Sequence, residues 1–162
     1  AGDGLLTLAF EILSGVQPAE KAIRLVREIS TAAGVHGMIA GQVEDIETVS
    51  KRLDLATHDF ICVNKTGKLI RASVKAGALV AGASPKKLAL IDRYAHAIGL
   101  AFQVVDDLLD QDGYCRFMPE DQVVQKARQL IKTAKTVAGK LGTRARYLVL
   151  LADFLESRIP RK

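Results

Sequence analysis

The segment Phe102-Gln103-Val104-Val105-Asp106-Asp107-Leu108-Leu109-Asp110 sets three aspartates and a glutamine inside one of the most apolar stretches of the chain. Ser84 followed by Pro85 is an N-cap and first-turn signal, so one helix is predicted from there to about Asp110. On such a helix Gln103, Asp106, Asp107 and Asp110 share a face at i, i+3, i+4, i+7 spacing. Tyr94, Ile98, Ala101, Val105 and Leu108 form the opposite face, with Leu100, Val104 and Leu109 on the flanks. Like charges within two helical turns repel, and carboxylates hemmed in by apolar side chains are costly unless something neutralises them. Aspartate is a weak helix former, so propensity does not account for the stripe. A hard divalent cation answers the problem, because Mg²⁺ is commonly held by one or two carboxylates together with waters and substrate phosphates. The alternative is a solvated acidic face near a helix end, which would suit a helix with more polar flanks.

The 162 residues are enough for a single helical domain with its own core. Trp is absent, only 4 Pro occur, and Ala, Leu, Val and Ile dominate the 49% hydrophobic content, all of which favours an all-α domain. A mean hydropathy of +0.15 implies apolar surface that meets another chain or a missing part of this one. The net charge of +5 suits an anionic small substrate and equally a solvated surface, so alone it decides nothing, and no basic run is interleaved with aromatics as in nucleic-acid surfaces. Cys62 and Cys115 make no framework or metal pattern and read as reduced structural residues of a cytoplasmic protein. No signal peptide and no run of about 18 apolar residues is visible, so no transmembrane span is expected. The chain opens at Ala1 without Met and is already in a helical pattern by Leu5, which reads as a cut chain.

Along the chain, Asp3 is expected to cap a first helix from Leu5 to Leu13 that Gly15 ends, and Pro18 to open a second that Gly34 stops. A third segment runs from near Val35 to about Glu47, with Gly37 and Gly41 implying close packing or close approach of a ligand. Thr48 to Asp54 reads as a loop. A fourth helix from about Leu55 leads through Lys65-Thr66-Gly67, with a break expected at Gly67, into a run that ends at Gly82. After the long acidic helix, Asp112-Gly113 signals a turn, Pro119-Glu120 starts a charged helix to about Leu141, and Thr143 is expected to cap the last helix, before the Arg161-Lys162 tail.

Three groups carry chemistry: the acidic stripe, the pair Gln42 and Asp45 on one helical face, and Lys65-Thr66. Each of the last two alone is an ordinary surface pair. Together the three offer carboxylates for a metal, a cation for phosphate charge and amides for orientation, a set suited to chemistry on a diphosphate.

Four ordered segments then resemble the trans-isoprenyl diphosphate synthases, the farnesyl and geranylgeranyl diphosphate synthase group. They are Gly2-Asp3-Gly4-Leu5-Leu6-Thr7-Leu8-Ala9-Phe10-Glu11, Gly37 to Ile46 around Gly41-Gln42-Val43-Glu44-Asp45, Lys65-Thr66-Gly67-Lys68-Leu69-Ile70, and Gly99 to Asp110. The resemblance implies an all-α isoprenoid synthase bundle around a deep cavity, incomplete here at its N-terminal side. It implies that Asp106, Asp107 and Asp110 bind Mg²⁺ (or Mn²⁺) bridging the allylic diphosphate, and that Lys65 contacts that diphosphate. Thr66 would lie near the reacting carbons, Gln42 and Asp45 along the same cavity, and Gln103 close to metal and diphosphate. The implied reaction is departure of diphosphate from the allylic substrate, attack on the cation by the double bond of isopentenyl diphosphate, and proton loss. A homodimer is implied for the full-length protein.

The family's first aspartate-rich motif has no counterpart in these residues, and neither does the Gly- and Lys-rich stretch that follows its second motif. Asp110 instead runs almost directly into Gln111-Asp112-Gly113-Tyr114, as though a loop were missing near 110–114. The leading expectation is therefore the C-terminal half of a prenyltransferase, inactive alone because it carries half the metal site. The alternative is a non-catalytic homologue or regulatory subunit that pairs with a complete synthase. A terpene cyclase fits less well, because Lys65-Thr66 and Gln42 match the synthases.

Overall fold

The computed structural model describes residues 1–48 and 53–160 and is helical throughout, with no strand among them. The helices are α1 (Gly2–Ser14), α2 (Ala19–Ala33), α3 (Met38–Thr48), α4 (Leu55–Ile61), α5 (Lys68–Val80), α6 (Pro85–Asp110), α7 (Glu120–Gly139) and α8 (Arg146–Ser157). A π-helical turn, Cys62–Gly67, joins α4 to α5, and short 3₁₀ turns at Gly113–Arg116 and Thr143–Ala145 precede α7 and α8. Most of the loop expected between Thr48 and Asp54, namely residues 49–52, lies outside the described residues, as does the 161–162 tail.

The bundle is built on α6. Ser84 caps it by accepting from the Lys87 backbone N–H, Pro85 sits in the first turn, and its last residue is Asp110, as expected. Its apolar face, Tyr94, Ile98, Ala101, Val105 and Leu108, is buried and meets the buried stripe Val123, Ala127, Ile131, Ala134 and Ala138 of α7. The small residues along α7 let the two helices lie close, and α8 closes this core with Ala152 and Leu155. Val104 on the flank is also fully buried, whereas Leu109, expected to fill a flank, is 45% exposed. Among the described residues, α6 alone is long and apolar enough to cross a membrane, with 26 residues and a mean hydropathy of 1.2. Its apolar side is nevertheless committed to the core.

Three boundary expectations change. Helix α1 starts at Gly2, so Asp3 lies in its first turn instead of capping it. Thr143 does not cap α8 either, because a 3₁₀ turn supplies the leading i→i+3 bonds and the helix begins at Arg146. Gly67 makes no break. Its φ and ψ of −61° and −43° are helical, and the chain passes from α4 to α5 through one continuous, widened turn.

The reason for the tight junction lies on α3. A Cβ built at Gly41 would come within 2.2 Å of the Lys65 backbone nitrogen, so only glycine lets α3 cross the π turn this closely. On the far side of the bundle, Lys75 of α5 bonds Glu28 of α2 at 2.6 Å, and Arg71 pairs with Asp92 of α6 through an Nε–Oδ1 bond of 2.8 Å. These charged links fix α5 between α2 and α6.

The apolar surplus in the composition reappears as exposed faces. Leu5, Leu8 and Ile12 of α1, Ile39, Val43 and Ile46 of α3, and Tyr147, Leu150, Leu151 and Phe154 of α8 all face solvent.

Gly41 and Gly77 give opposite expectations for the same substitution. Gly41→Ala should lower unfolding free energy by about 1–3 kcal/mol through overpacking at the π turn. Gly77→Ala, with nothing within 4 Å of the new Cβ, should raise it by about 0.5–1 kcal/mol. Urea denaturation midpoints of the two variants check both signs.

Candidate active site

A cavity of about 310 Å³ opens where α3, the α4–π junction and the end of α6 meet. Its wall includes Asp45, Lys65, Thr66, Gln103, Asp107 and Asp110, so six of the eight residues singled out from sequence are brought together. Gln42 stays on α3, half-buried and off this wall, and Asp106 of α6 is likewise not part of the wall.

Lys65 and Thr66 reach the cavity from the π turn. A π turn carries an extra residue per turn, which rotates the side chains that follow it relative to an unbroken α-helix. Thr66 Oγ1 donates to Gln103 Oε1 at 3.1 Å, and Gln103 Nε2 donates to Asp107 Oδ1 at 2.9 Å. These two bonds fix the Gln103 amide in one orientation. Lys65 Nζ lies 2.6 Å from Asp45 Oδ2, and both side chains remain partly open to solvent.

The three aspartates of the stripe have three different environments. Asp107 is buried, and its Oδ2 accepts from His58 Nε2 at 2.8 Å and from the Tyr114 backbone N–H at 3.0 Å. Burial pushes its carboxyl upward, but the bonds from His58, Gln103 and Tyr114 outweigh that and hold it below its usual 3.8. A carboxylate can only accept, so His58 presents its proton on Nε2. Asp106 is half-buried and lies 3.4 Å from Arg158 Nη2. Its carboxyl is raised by burial and by the neighbouring Asp110 and Asp107 charges, against the lowering effect of Arg158. Asp110 is exposed at the cavity rim.

This donor set fits a hard cation. Asp106 and Asp110 offer carboxylate oxygens that are not saturated by hydrogen bonds from the core, Asp106 facing only the Arg158 guanidinium at 3.4 Å. Asp107 has its oxygens engaged and acts chiefly as the post to which the cavity wall is tied.

Sequence reasoning missed His58, Asp59 and Tyr114 and took Cys62 for a structural residue. His58 and Cys62 are buried and line the cavity, with Cys62 Sγ 3.3 Å from His58 Nε2. Burial, then the Asp107 and Asp59 charges, push the Cys62 thiol up to about 12. Tyr114 packs edge-on to the His58 ring at 4.6 Å and donates its hydroxyl to Asp59. The spacing 58, 62, 65 is helical and ends on Lys65, which is the signal that could have found the first two. Gly113 has φ +54°, and a Cβ there would fall 2.1 Å from Asp107 Oδ2, so this glycine lets the short post-stripe linker fold onto the carboxylate.

Asp107→Asn should destabilise the chain by about 3 kcal/mol, because an amide cannot accept all three bonds and sets its NH₂ against donors. Since the folded carboxyl sits below its usual 3.8, the wild-type advantage is complete above that value and is lost as pH falls through the folded one. Denaturation of both proteins between pH 7 and about pH 2 should show the gap closing on the acid side.

The polyprenyl synthetase family profile matches residues 1–115. Farnesyl diphosphate synthase of Geobacillus stearothermophilus is 43% identical over 117 residues, 70% of this chain and 39% of that protein. Farnesyl diphosphate synthase of Escherichia coli K12 is 36% identical over 185 aligned residues, 98% of this chain and 62% of that protein. That alignment is longer than the 162-residue chain, so the E. coli protein carries residues with no counterpart here. A crystal structure of a candidate farnesyl-diphosphate synthase from Marinomonas sp. MED121 superposes with a TM-score of 0.89 at 40% identity, over 96% of this chain and 60% of that one. The chain thus spans 39% to 62% of the length of these relatives. An all-α bundle with this profile and these relatives belongs to the polyprenyl synthetase family of trans-isoprenyl diphosphate synthases.

Proposed function

We propose that this chain forms the allylic-diphosphate side of a trans-prenyltransferase that condenses isopentenyl diphosphate with an allylic diphosphate. The observation that carries the reading is the convergence of Lys65, Thr66, Gln103 and Asp110 on one cavity, from two different elements. Lys65 supplies charge for the diphosphate. Asp45, at 2.6 Å, keeps the ammonium aimed at the cavity and must yield it when a more highly charged anion enters. Gln42, one turn before Asp45 on α3, supports that segment from behind the wall.

Thr66 gives its proton to Gln103 Oε1, so Thr66 Oγ1 is left with lone pairs only. The two oxygens stabilise positive charge on the allylic carbons once the C–O bond to diphosphate breaks. The double bond of isopentenyl diphosphate then attacks that carbon, and loss of a proton from the condensed cation restores a neutral chain. Asp106 and Asp110, on the stripe anchored by Asp107, would hold Mg²⁺ or Mn²⁺, which neutralises the departing diphosphate and favours C–O cleavage. In the whole protein we place this unit in a homodimer, for which the exposed α1 and α8 faces give apolar surface. The free cysteines Cys62 and Cys115 fit a cytoplasmic site of action.

The pairs Lys65–Asp45 and Asp106–Arg158 also favour a second reading, a non-catalytic partner of a complete synthase, because both neutralise groups that substrate and metal would need. Mixing the chain with a complete synthase of the family separates the two. A partner subunit changes the synthase's rate or product length, and a fragment leaves both unchanged.

The 162 residues alone should bind an allylic diphosphate only when Mg²⁺ is present, and calorimetry with geranyl diphosphate reads this. Asp110→Asn should abolish the Mg²⁺-dependent binding, and Lys65→Ala should weaken binding by roughly 10- to 100-fold, the cost of a charge-assisted bond. Binding indifferent to Mg²⁺ and to both substitutions refutes the reading. With isopentenyl diphosphate added, no condensed product is expected, because the chain offers carboxylates from one side of the reaction only. Turnover at the rate of a complete synthase would contradict that.

A further inference from the structure

We propose that His58, Cys62 and Asp107 form a binding site for a soft divalent cation of the Zn²⁺ type, separate in chemistry from the hard-cation site at Asp106 and Asp110. One nitrogen, one sulfur and one carboxylate oxygen converge in the interior, all within 4.8 Å of one another. His58 Nε2 stands at the centre, 2.8 Å from Asp107 Oδ2 and 3.3 Å from Cys62 Sγ. A single ring nitrogen faces both partners and carries one proton or one lone pair, so protons alone cannot serve both contacts fully. A cation can. Tetrahedral Zn²⁺ holds nitrogen and oxygen at about 2.0–2.2 Å and sulfur at about 2.3 Å, which places neighbouring ligand atoms roughly 3.3–3.6 Å apart. The nitrogen–sulfur contact is within about 0.3 Å of that, the nitrogen–oxygen contact needs to open by about half an ångström, and sulfur and oxygen already lie within 4.8 Å of each other.

Charge and support agree with that assignment. A thiolate and a carboxylate cancel the charge of a divalent ion, which is what a buried site needs. Coordination moves the imidazole proton from Nε2 to Nδ1, and the thiol proton leaves to solvent. The outer contacts are in place, because Gln103 Nε2 bonds the free oxygen of Asp107 and the Tyr114 N–H bonds the ligating one. The Tyr114 ring covers His58 on its edge, and Phe117 lies 5.8 Å away on another side. His58 and Cys62 stand one helical turn apart, at i and i+4, a spacing that lets two side chains grip one ion. All three ligands line the same cavity as Lys65, so a fourth position opens toward it. Three protein ligands with an open position is the pattern of reactive zinc sites, not of closed structural ones.

Co²⁺ replaces Zn²⁺ in such sites and reports a sulfur ligand through a near-ultraviolet thiolate-to-metal absorption. Chelator-treated protein titrated with Co²⁺ should develop that band at one equivalent, and Zn²⁺ should abolish it while excess Mg²⁺ should not. Cys62→Ser should lose the band, Cys115→Ser should keep it, and His58→Leu should weaken it. No band, or a band that survives Cys62→Ser and disappears with Cys115→Ser, overturns the proposal. A second measurement needs no substitution: Zn²⁺ should slow alkylation of Cys62 and leave Cys115 unchanged, and equal rates with and without Zn²⁺ count against the site. Because Mg²⁺ gives no thiolate band, failure here is distinct from failure of the Mg²⁺–diphosphate reading.

Discussion

The carboxylate of Asp107 is the point from which the rest of this site is held. It receives His58 from α4, Gln103 from its own helix and the Tyr114 N–H from the turn after it, and the net effect is an ionised group in the interior. A buried charge is tolerated when both of its oxygens have donors, and each donor is fixed in return. Through Gln103 the constraint passes to Thr66, and through Tyr114 it passes to Asp59. Two stretches distant in sequence, 58–66 and 103–114, are thereby tied together around one cavity.

The second constraint is steric. α3 can cross the π turn only because Gly41 has no side chain, and the crossing puts Asp45 against Lys65. The π turn in its place carries both Lys65 and Thr66 on the cavity wall. Close packing at a glycine and an irregular turn thus carry the cationic part of the site, while hydrogen bonding carries the acidic part.

The apolar faces of α1, α3 and α8 complete the account of the unusual hydropathy. Helix α1 has no buried residue although it is apolar nearly all round, and Tyr147, Leu150, Leu151 and Phe154 form an exposed stripe at helical spacing. A core of this chain's own exists around α6 and α7. The surplus lies outside it, on helices whose apolar sides are of the kind that pack against further helices.

Local patterns determined a great deal unaided. Ser84-Pro85 fixed the start of α6, the 3.6 period fixed which of its faces is buried, and four ordered motifs identified the family and the fold. Helical spacing could place Asp106, Asp107 and Asp110 on one face, because that depends only on rise and turn. It could not divide them. Which one is buried, which meets Arg158 and which stays at the rim depends on residues about fifty positions away in either direction, and no periodicity encodes those contacts. The same holds for His58 and Cys62, unremarkable on their own helix and significant only once α6 brings Asp107 to them. The sequence alone settled the helices and their apolar faces through backbone geometry and burial. The tertiary structure decided which side chains share one site, because long-range packing sets distances that local spacing leaves free.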